Sequence, residues 1–197
     1  MIFVRDLGTG HNRQRKIAGI AKKTIKNPHL GQLLFRIAEK YGCRYITELG
    51  TSLGITTLYL ASSSSQMKCI TFEGCPQTAA IARQNFAKAG RQNISIIEGD
   101  IGEKLSITLS AVPPQDLIFI DANHSFEATM EYFNQCLNFC HDETIIVLDD
   151  IYWSDEMARA WQEIKANQCV TTTLDIYYMG FVFLKPELNK QHYKIVF

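Results

Sequence analysis

From Tyr45 to Leu60 the chain reads Tyr-Ile-Thr-Glu-Leu-Gly-Thr-Ser-Leu-Gly-Ile-Thr-Thr-Leu-Tyr-Leu, and no other stretch restricts the fold as strongly. The apolar, β-branched run Tyr45 to Leu49 suits a buried strand. Gly50 and Gly54 break it, and Ile55, Leu58 and Tyr59 follow at helical spacing. A strand, a tight turn and a helix in that order aim the helix N-terminus at whatever occupies the turn. The turn is Gly-x-x-x-Gly, not Gly-x-Gly-x-x-Gly. Ser52 stands where a dinucleotide site has the glycine that lets backbone approach a pyrophosphate, so a nucleoside ligand without phosphates suits this turn better. Such glycine pairs also occur in ordinary turns, and the remaining strands have to decide between the two meanings.

Those strands alternate with helices. Met67–Phe72 is a second apolar strand, ending at Glu73-Gly74, and Pro76 opens a helix that Gly90 caps. Ile94–Ile97 is the third strand, ending at Glu98-Gly99-Asp100. Pro113-Pro114 leads into a fourth, Asp116–Asp121, and Ser125 can cap the helix after it. Thr144–Asp150 is the fifth, and Ser154 caps a helix whose first turn holds Asp155 and Glu156, a favourable place for acids. Beyond it, Val170–Ile176, Phe181–Leu184 and His192–Phe197 read as strands only. Near-continuous apolar strands alternating with helices imply a parallel sheet covered on both faces, with the tail adding antiparallel strands at one edge.

Ahead of this unit, residues 1–10 read as irregular. Residues 12–25 carry Ile17, Ile20, Ala21 and Ile25 at helical spacing, with Arg13, Arg15, Lys16, Lys22, Lys23 and Lys26 over the rest of the surface. Pro28 then suits the first turn of a helix with an apolar stripe of Leu30, Leu33, Leu34, Ile37 and Tyr41, stopped by Gly42. At 197 residues the chain is most simply one domain. Lys+Arg and Asp+Glu balance at 20 each, so no global field draws it onto nucleic acid or a membrane. No apolar run approaches the ~18–20 residues that span a bilayer. The first residues have neither the charged start nor the long apolar core of a signal peptide. Cys43, Cys69, Cys75, Cys136, Cys140 and Cys169 lack metal-site spacing and read as buried thiols in a reducing cytosol.

Every strand of the alternating part ends in an acid. A single such acid is usually a loop solubiliser or a helix cap, but five in succession at the ligand-binding end of an open sheet are not. Glu73, 23 residues after Gly50, stands where an acid accepts hydrogen bonds from both hydroxyls of a ribose. Asp100 could accept from an exocyclic amine. Both roles suit an adenosine. Asp121, Asp149 and Asp150 come from neighbouring strands and would raise one another's pKa unless a cation sat among them. An oxygen-only set selects a hard ion, Mg²⁺ first. The plainer alternative is that Asp149 or Asp150 caps the following segment and binds no metal. His124 reads either as a general base near neutral pH or as a solvent-exposed helix-start residue. Tyr152 and Trp153 either wall a substrate pocket or pack on the sheet rim.

At this point the residues resemble the class I S-adenosylmethionine-dependent methyltransferases. Glu48-Leu-Gly-Thr-Ser-Leu-Gly54 is similar to their glycine loop, Glu73 to their ribose-binding acid and Gly99-Asp100 to their adenine-side acid. Asp116–Glu127 and Ile146–Ile151 look like the small-molecule O-methyltransferases of the catechol type and their bacterial relatives. The resemblance implies a Rossmann-like three-layer α/β sandwich, with a mostly parallel seven-stranded sheet and an antiparallel C-terminal strand. It divides the chain into an N-terminal helical cap, 1–42, and a cofactor-binding domain, 43–197. It implies S-adenosylmethionine held by Glu48, Gly50, Thr51, Ser52, Gly54 and Thr56 in the turn. Glu73 and Gly74, Asp100 and Ile101, and Asp121 would complete the set. Asp121 and His124 would be catalytic. Mg²⁺ would be held by Asp121, Asp149 and Asp150, although Asp149-Asp150 stands where catechol-type enzymes have Asp-Asn.

The implied reaction is in-line transfer of the sulfonium methyl to a hydroxyl of a small-molecule acceptor, in the cytoplasm and without a membrane. The basic segment 12–26 would cover the site, as N-terminal helices do in catechol-type relatives, in part with help from a partner subunit. The apolar C-terminal strands could pair across a homodimer. Methylation of RNA or protein is a second reading, motivated by the same basic segment. Against a nucleic-acid partner, Asp121-Ala-Asn-His124 lacks the Asn/Asp-Pro-Pro-aromatic signature of amino-group methylation. A non-catalytic S-adenosylmethionine-binding module is a third, and a nicotinamide dehydrogenase, lacking its middle glycine, comes last.

Overall fold

The computed structural model describes residues 2–5, 12–15, 28–64 and 66–196. The chain divides into two units, 1–101 and 102–197. The first opens with an antiparallel pair, β1 (Ile2–Arg5) and β2 (Asn12–Arg15), in which Ile2 lies opposite Arg15. Residues 1–10 were expected to be irregular and 12–25 helical; at Ile2–Arg5 and Asn12–Arg15 the structure is strand instead. Ile2-Phe3-Val4 is an apolar, β-branched run that suits a strand. The polar Asn12–Arg15 lies ahead of the helical stripe, which begins only at Ile17, and so is free to pair with it. The rest of the expected basic helix, 16–26, lies outside the described residues.

Helix α1 (Pro28–Lys40) starts at Pro28 as expected. Its buried face is Leu30, Gly31, Leu34 and Ala38, while Leu33 and Ile37 are half-buried and Tyr41 is exposed. The stripe turned toward the small residues because Gly31 lies against the Tyr59 ring, where a Cβ would come within 2.5 Å of Cδ2. Then follow β3 (Tyr45–Leu49), α2 (Ile55–Leu60), β4 (Lys68–Glu73), α3 (Pro76–Lys88) and β5 (Ile94–Glu98). The strands run parallel in the order β3-β4-β5. Leu34, Ile46, Leu49 and Phe72 are fully buried in this unit. Each such side chain contributes about 1.5–3 kcal/mol relative to exposure.

In the second unit α4 (Ile101–Leu109) leads to β6 (Gln115–Ile120), α5 (Phe126–Leu137), β7 (Cys140–Asp149) and α6 (Asp155–Ala166). Ser125 and Ser154 cap α5 and α6 as expected, accepting from the N–H groups of Ala128 and Met157. The tail forms β8 (Thr172–Asp175), β9 (Met179–Phe183) and β10 (Gln191–Lys194). β7 is parallel to β6; β9 is antiparallel to β7 and β8; β10 is parallel to β8. The turn between β8 and β9 is too short for a crossover and forces the antiparallel hairpin. Trp161 of α6 is buried against Gly180 of β9, where a Cβ would lie 2.7 Å from the indole.

The fold is therefore α/β and Rossmann-like, with a mostly parallel sheet and antiparallel strands near the C-terminus. Its sheet has eight strands where the resemblance implied seven, the edge strand β10 pairing parallel to β8.

Candidate functional site

The first unit carries the glycine turn. Gly50, Ser52 and Gly54 all have positive φ, at 102°, 49° and 78°. The N–H groups of Gly50 and Thr51 both donate to the carbonyl of Phe72, at 3.1 and 2.9 Å, so the turn is bound to the end of β4. Gly54 has a second reason to be glycine, since a Cβ there would come within 2.4 Å of the Phe86 ring on α3. Beneath the turn Glu48 is fully buried and accepts the hydroxyls of Thr57 and, at 2.6 Å, Thr71. The Thr71 hydroxyl also meets that of Thr51 at 2.6 Å. Glu48 thus acts on the turn itself. Thr57 of α2 and Thr71 of β4 are members of the site that sequence reasoning missed; a threonine in a strand reads as ordinary β preference and one in a short helix as a surface polar residue, so no signal marked them.

Glu73, the last residue of β4, meets the turn directly. Its Oε2 accepts the N–H of Ser52 at 2.8 Å and its Oε1 the N–H of Cys75 at 2.9 Å. Burial raises its pKa from the ordinary 4.5, the two N–H bonds oppose that rise, and Glu98 adds to it. A carboxylate offers about four lone-pair sites, so two N–H donors leave capacity for two further ones. Gly99 donates its N–H to the Glu73 carbonyl at 3.1 Å, which brings the end of β5 beside this carboxylate. Asp100 is exposed there, with Ile101 buried behind it. Thr56 and Gly74 are half-buried.

The second unit carries the other acids. His124 Nε2 lies 3.5 Å from Asp121 Oδ1 and 3.9 Å from Asp150 Oδ2. Its loop is strained: Asn123 and His124 have φ of 63° and 33°, and Asp150 has 51°. Non-glycine residues hold such angles only where the surroundings impose them, commonly at functional sites. Asp149, which ends β7, is 1% exposed. The residue after it turns left-handed and brings its carboxylate to His124. Asp121 and Asp150 therefore meet around an imidazole, with Asp149 buried in the sheet. Among the described residues no group of three His, Cys, Asp or Glu could hold a metal ion, so the expected Mg²⁺ trio does not form one. Asp150 receives support from two sides: its N–H donates to the Tyr178 carbonyl and its carbonyl accepts from Trp153 N–H, both at 2.8 Å. Trp153 is 73% exposed.

Among the described residues no helix is long and apolar enough to cross a membrane. Comparison with known proteins bears on both clusters. A family described as a methyltransferase domain matches residues 47–151, from the glycine turn to the residue after Asp150. A catechol O-methyltransferase of Niastella koreensis is 32% identical over 130 residues, covering 64% of this chain and 57% of that protein. A catechol O-methyltransferase of Mycobacterium tuberculosis is 28% identical over 123 residues, covering 61% and 54%. The chain thus spans a little over half the length of these two relatives. Among solved structures, an O-methyltransferase from Bacillus cereus in complex with SAH is similar in fold, with a TM-score of 0.70 at 21% identity, covering 86% of this chain and 92% of that one.

Proposed function

Because this chain belongs to the methyltransferase-domain family, we propose that it transfers a methyl group from S-adenosylmethionine to a hydroxyl of a small molecule. The observation that carries this reading is the glycine turn closed onto Glu73 through Ser52 N–H at 2.8 Å, with spare acceptor capacity on the carboxylate. Glu73 would take the ribose hydroxyls and Asp100 the adenine side, with Gly50, Thr51, Ser52, Gly54, Thr56, Gly74, Ile101 and Asp121 completing the cofactor's surroundings. S-adenosylmethionine supplies the methyl group as a sulfonium electrophile. The chain's own work is to orient the acceptor and to take up its proton. His124 Nε2, 3.5 Å from Asp121 Oδ1 and 3.9 Å from Asp150 Oδ2, is the group that takes that proton.

Mg²⁺ at Asp121, Asp149 and Asp150 is what the resemblance implies. The described residues form no three-residue group for it, so the reaction is derived without it; turnover lost in EDTA and restored by Mg²⁺ would bring it back. Residues 1–42 are assigned as a cap whose β1 runs alongside α3, and 43–197 as the transferring domain. Six thiols without a disulfide suit a cytoplasmic site of action. β10, exposed at all four residues, is the edge at which a homodimer would form.

The test is calorimetry with S-adenosylhomocysteine on the chain and on Glu73→Ala. Micromolar binding lost in the variant supports the reading. No binding to the folded protein would sink it.

A further inference from the structure

We infer that Asp175, far in sequence from every acid of the site, is the positioning residue that sets the Asp150–Trp153 turn on the acceptor side. This rests on the reading of His124 and Asp150 given above, but the geometry that supports it stands alone. Asp175 ends β8 and is only 6% exposed. A buried carboxylate is costly unless hydrogen-bonded. This one is bonded at both oxygens: Oδ2 accepts the Tyr152 hydroxyl at 2.5 Å and Oδ1 the Tyr177 N–H at 2.8 Å. One carboxylate therefore joins the loop after β7 to the turn between β8 and β9.

That turn is strained. Tyr177 has φ of +71°, and Tyr178 N–H donates to the Ile176 carbonyl at 2.9 Å. The bond from Tyr177 N–H to Asp175 holds the strained residue. Tyr178 in turn presents its carbonyl to Asp150 N–H at 2.8 Å, and Asp150 is itself left-handed. Asp175 thus acts on the Asp150 turn twice, once through Tyr177–Tyr178 to the backbone and once through the Tyr152 side chain. The rings close the arrangement: Tyr152 lies 5.6 Å from Tyr177, Tyr177 meets Tyr178 edge-on at 5.3 Å, and Lys194 Nζ stands 5.1 Å over Tyr152. A hairpin needs no buried acid to turn. An acid that fixes a phenol and a strained amide together has the geometry of a clamp.

Burial, followed by the bond to Asp175 and its charge, pushes the Tyr152 phenol up to about 12. That offers a readout independent of methyl transfer. In Asp175→Asn the amide oxygen can still accept from Tyr177, but the charge beside the phenol is gone. A titration of tyrosinate absorbance, referenced to Tyr152→Phe, is expected to show Tyr152 ionising at lower pH in Asp175→Asn than in the parent chain, though still above the ordinary phenol value because its burial remains. Amide exchange at Asp150 and Trp153 is expected to accelerate about tenfold in the variant, as loss of one charge-assisted bond allows, with Ile146 in β7 unchanged. S-adenosylhomocysteine affinity stays within about twofold while acceptor kcat/KM falls about tenfold.

Tyr152→Phe cuts the clamp from the other side and serves if Asp175→Asn does not fold. The double variant is expected to lose no more than Asp175→Asn alone. Unchanged Asp150 and Trp153 exchange in Asp175→Asn, additive losses in the double variant, or cofactor affinity falling in step with acceptor turnover would each overturn the assignment. Absence of any methyl acceptor would sink the proposed function but leave the titration and exchange results to decide the clamp.

Discussion

Ser52 donates its backbone N–H to Oε2 of Glu73 at 2.8 Å across 21 residues of chain. That bond locks a left-handed residue of the glycine turn to the acid at the end of the neighbouring strand. The loop and the acceptor it would need for a ribose are therefore one rigid piece. Glu73 holds the turn and, in the proposed function, the cofactor as well.

Its raised pKa gives that double role a pH signature. Protonation sets in above the ordinary 4.5. Because the folded value exceeds the unfolded one, Glu73's own contribution to folding is greatest below the unfolded pKa and is lost as pH rises through the folded pKa. Ligand binding runs the opposite way, since only the carboxylate accepts two hydroxyls. Affinity for S-adenosylhomocysteine is expected to be full near neutrality and to decline as pH falls through the folded pKa. Glu73→Gln should bind weakly with little pH dependence. Calorimetry from neutral pH down into the acid range checks this.

Gly54 cannot carry a side chain. Gly54→Ala combines a positive φ of 78° with a Cβ 2.4 Å from the Phe86 ring. Left-handed strain and overpacking together predict a loss of about 2–4 kcal/mol in urea unfolding. Phe86→Leu in the same chain should recover the packing part and leave the backbone part.

Thr71→Val keeps the shape of the side chain but removes the hydroxyl that links Glu48 to Thr51. A buried carboxylate deprived of one donor predicts a loss of about 1–3 kcal/mol. Thr71→Ser, which keeps the hydroxyl, should lose less, and the urea midpoints of the two variants make the comparison.

His124→Gln tests the proton acceptor. The amide fills the same space between Asp121 and Asp150 but cannot serve as a general base. Turnover is expected to fall about 10²–10⁴-fold, with S-adenosylhomocysteine affinity unchanged. Equal losses in both would mean that His124 holds the loop and does not act on the acceptor.

Much of this protein was legible along the chain. The alternation of strand and helix, the caps Ser125 and Ser154, the helix starts at Pro28 and Pro76 and the acids at the strand ends all follow from local periodicity and from side chains that bond their own neighbours. Such signals need no knowledge of what packs where. Tertiary structure decided the rest. It made a strand of residues 12–15 by giving them Ile2–Arg5 to pair with, and it turned α1 toward Gly31 because Tyr59 lay opposite. It also spent Glu48 on two threonines, put His124 between Asp121 and Asp150, and joined Tyr152 to Asp175. Each depends on groups that the chain holds far apart and only folding brings within hydrogen-bond or van der Waals reach.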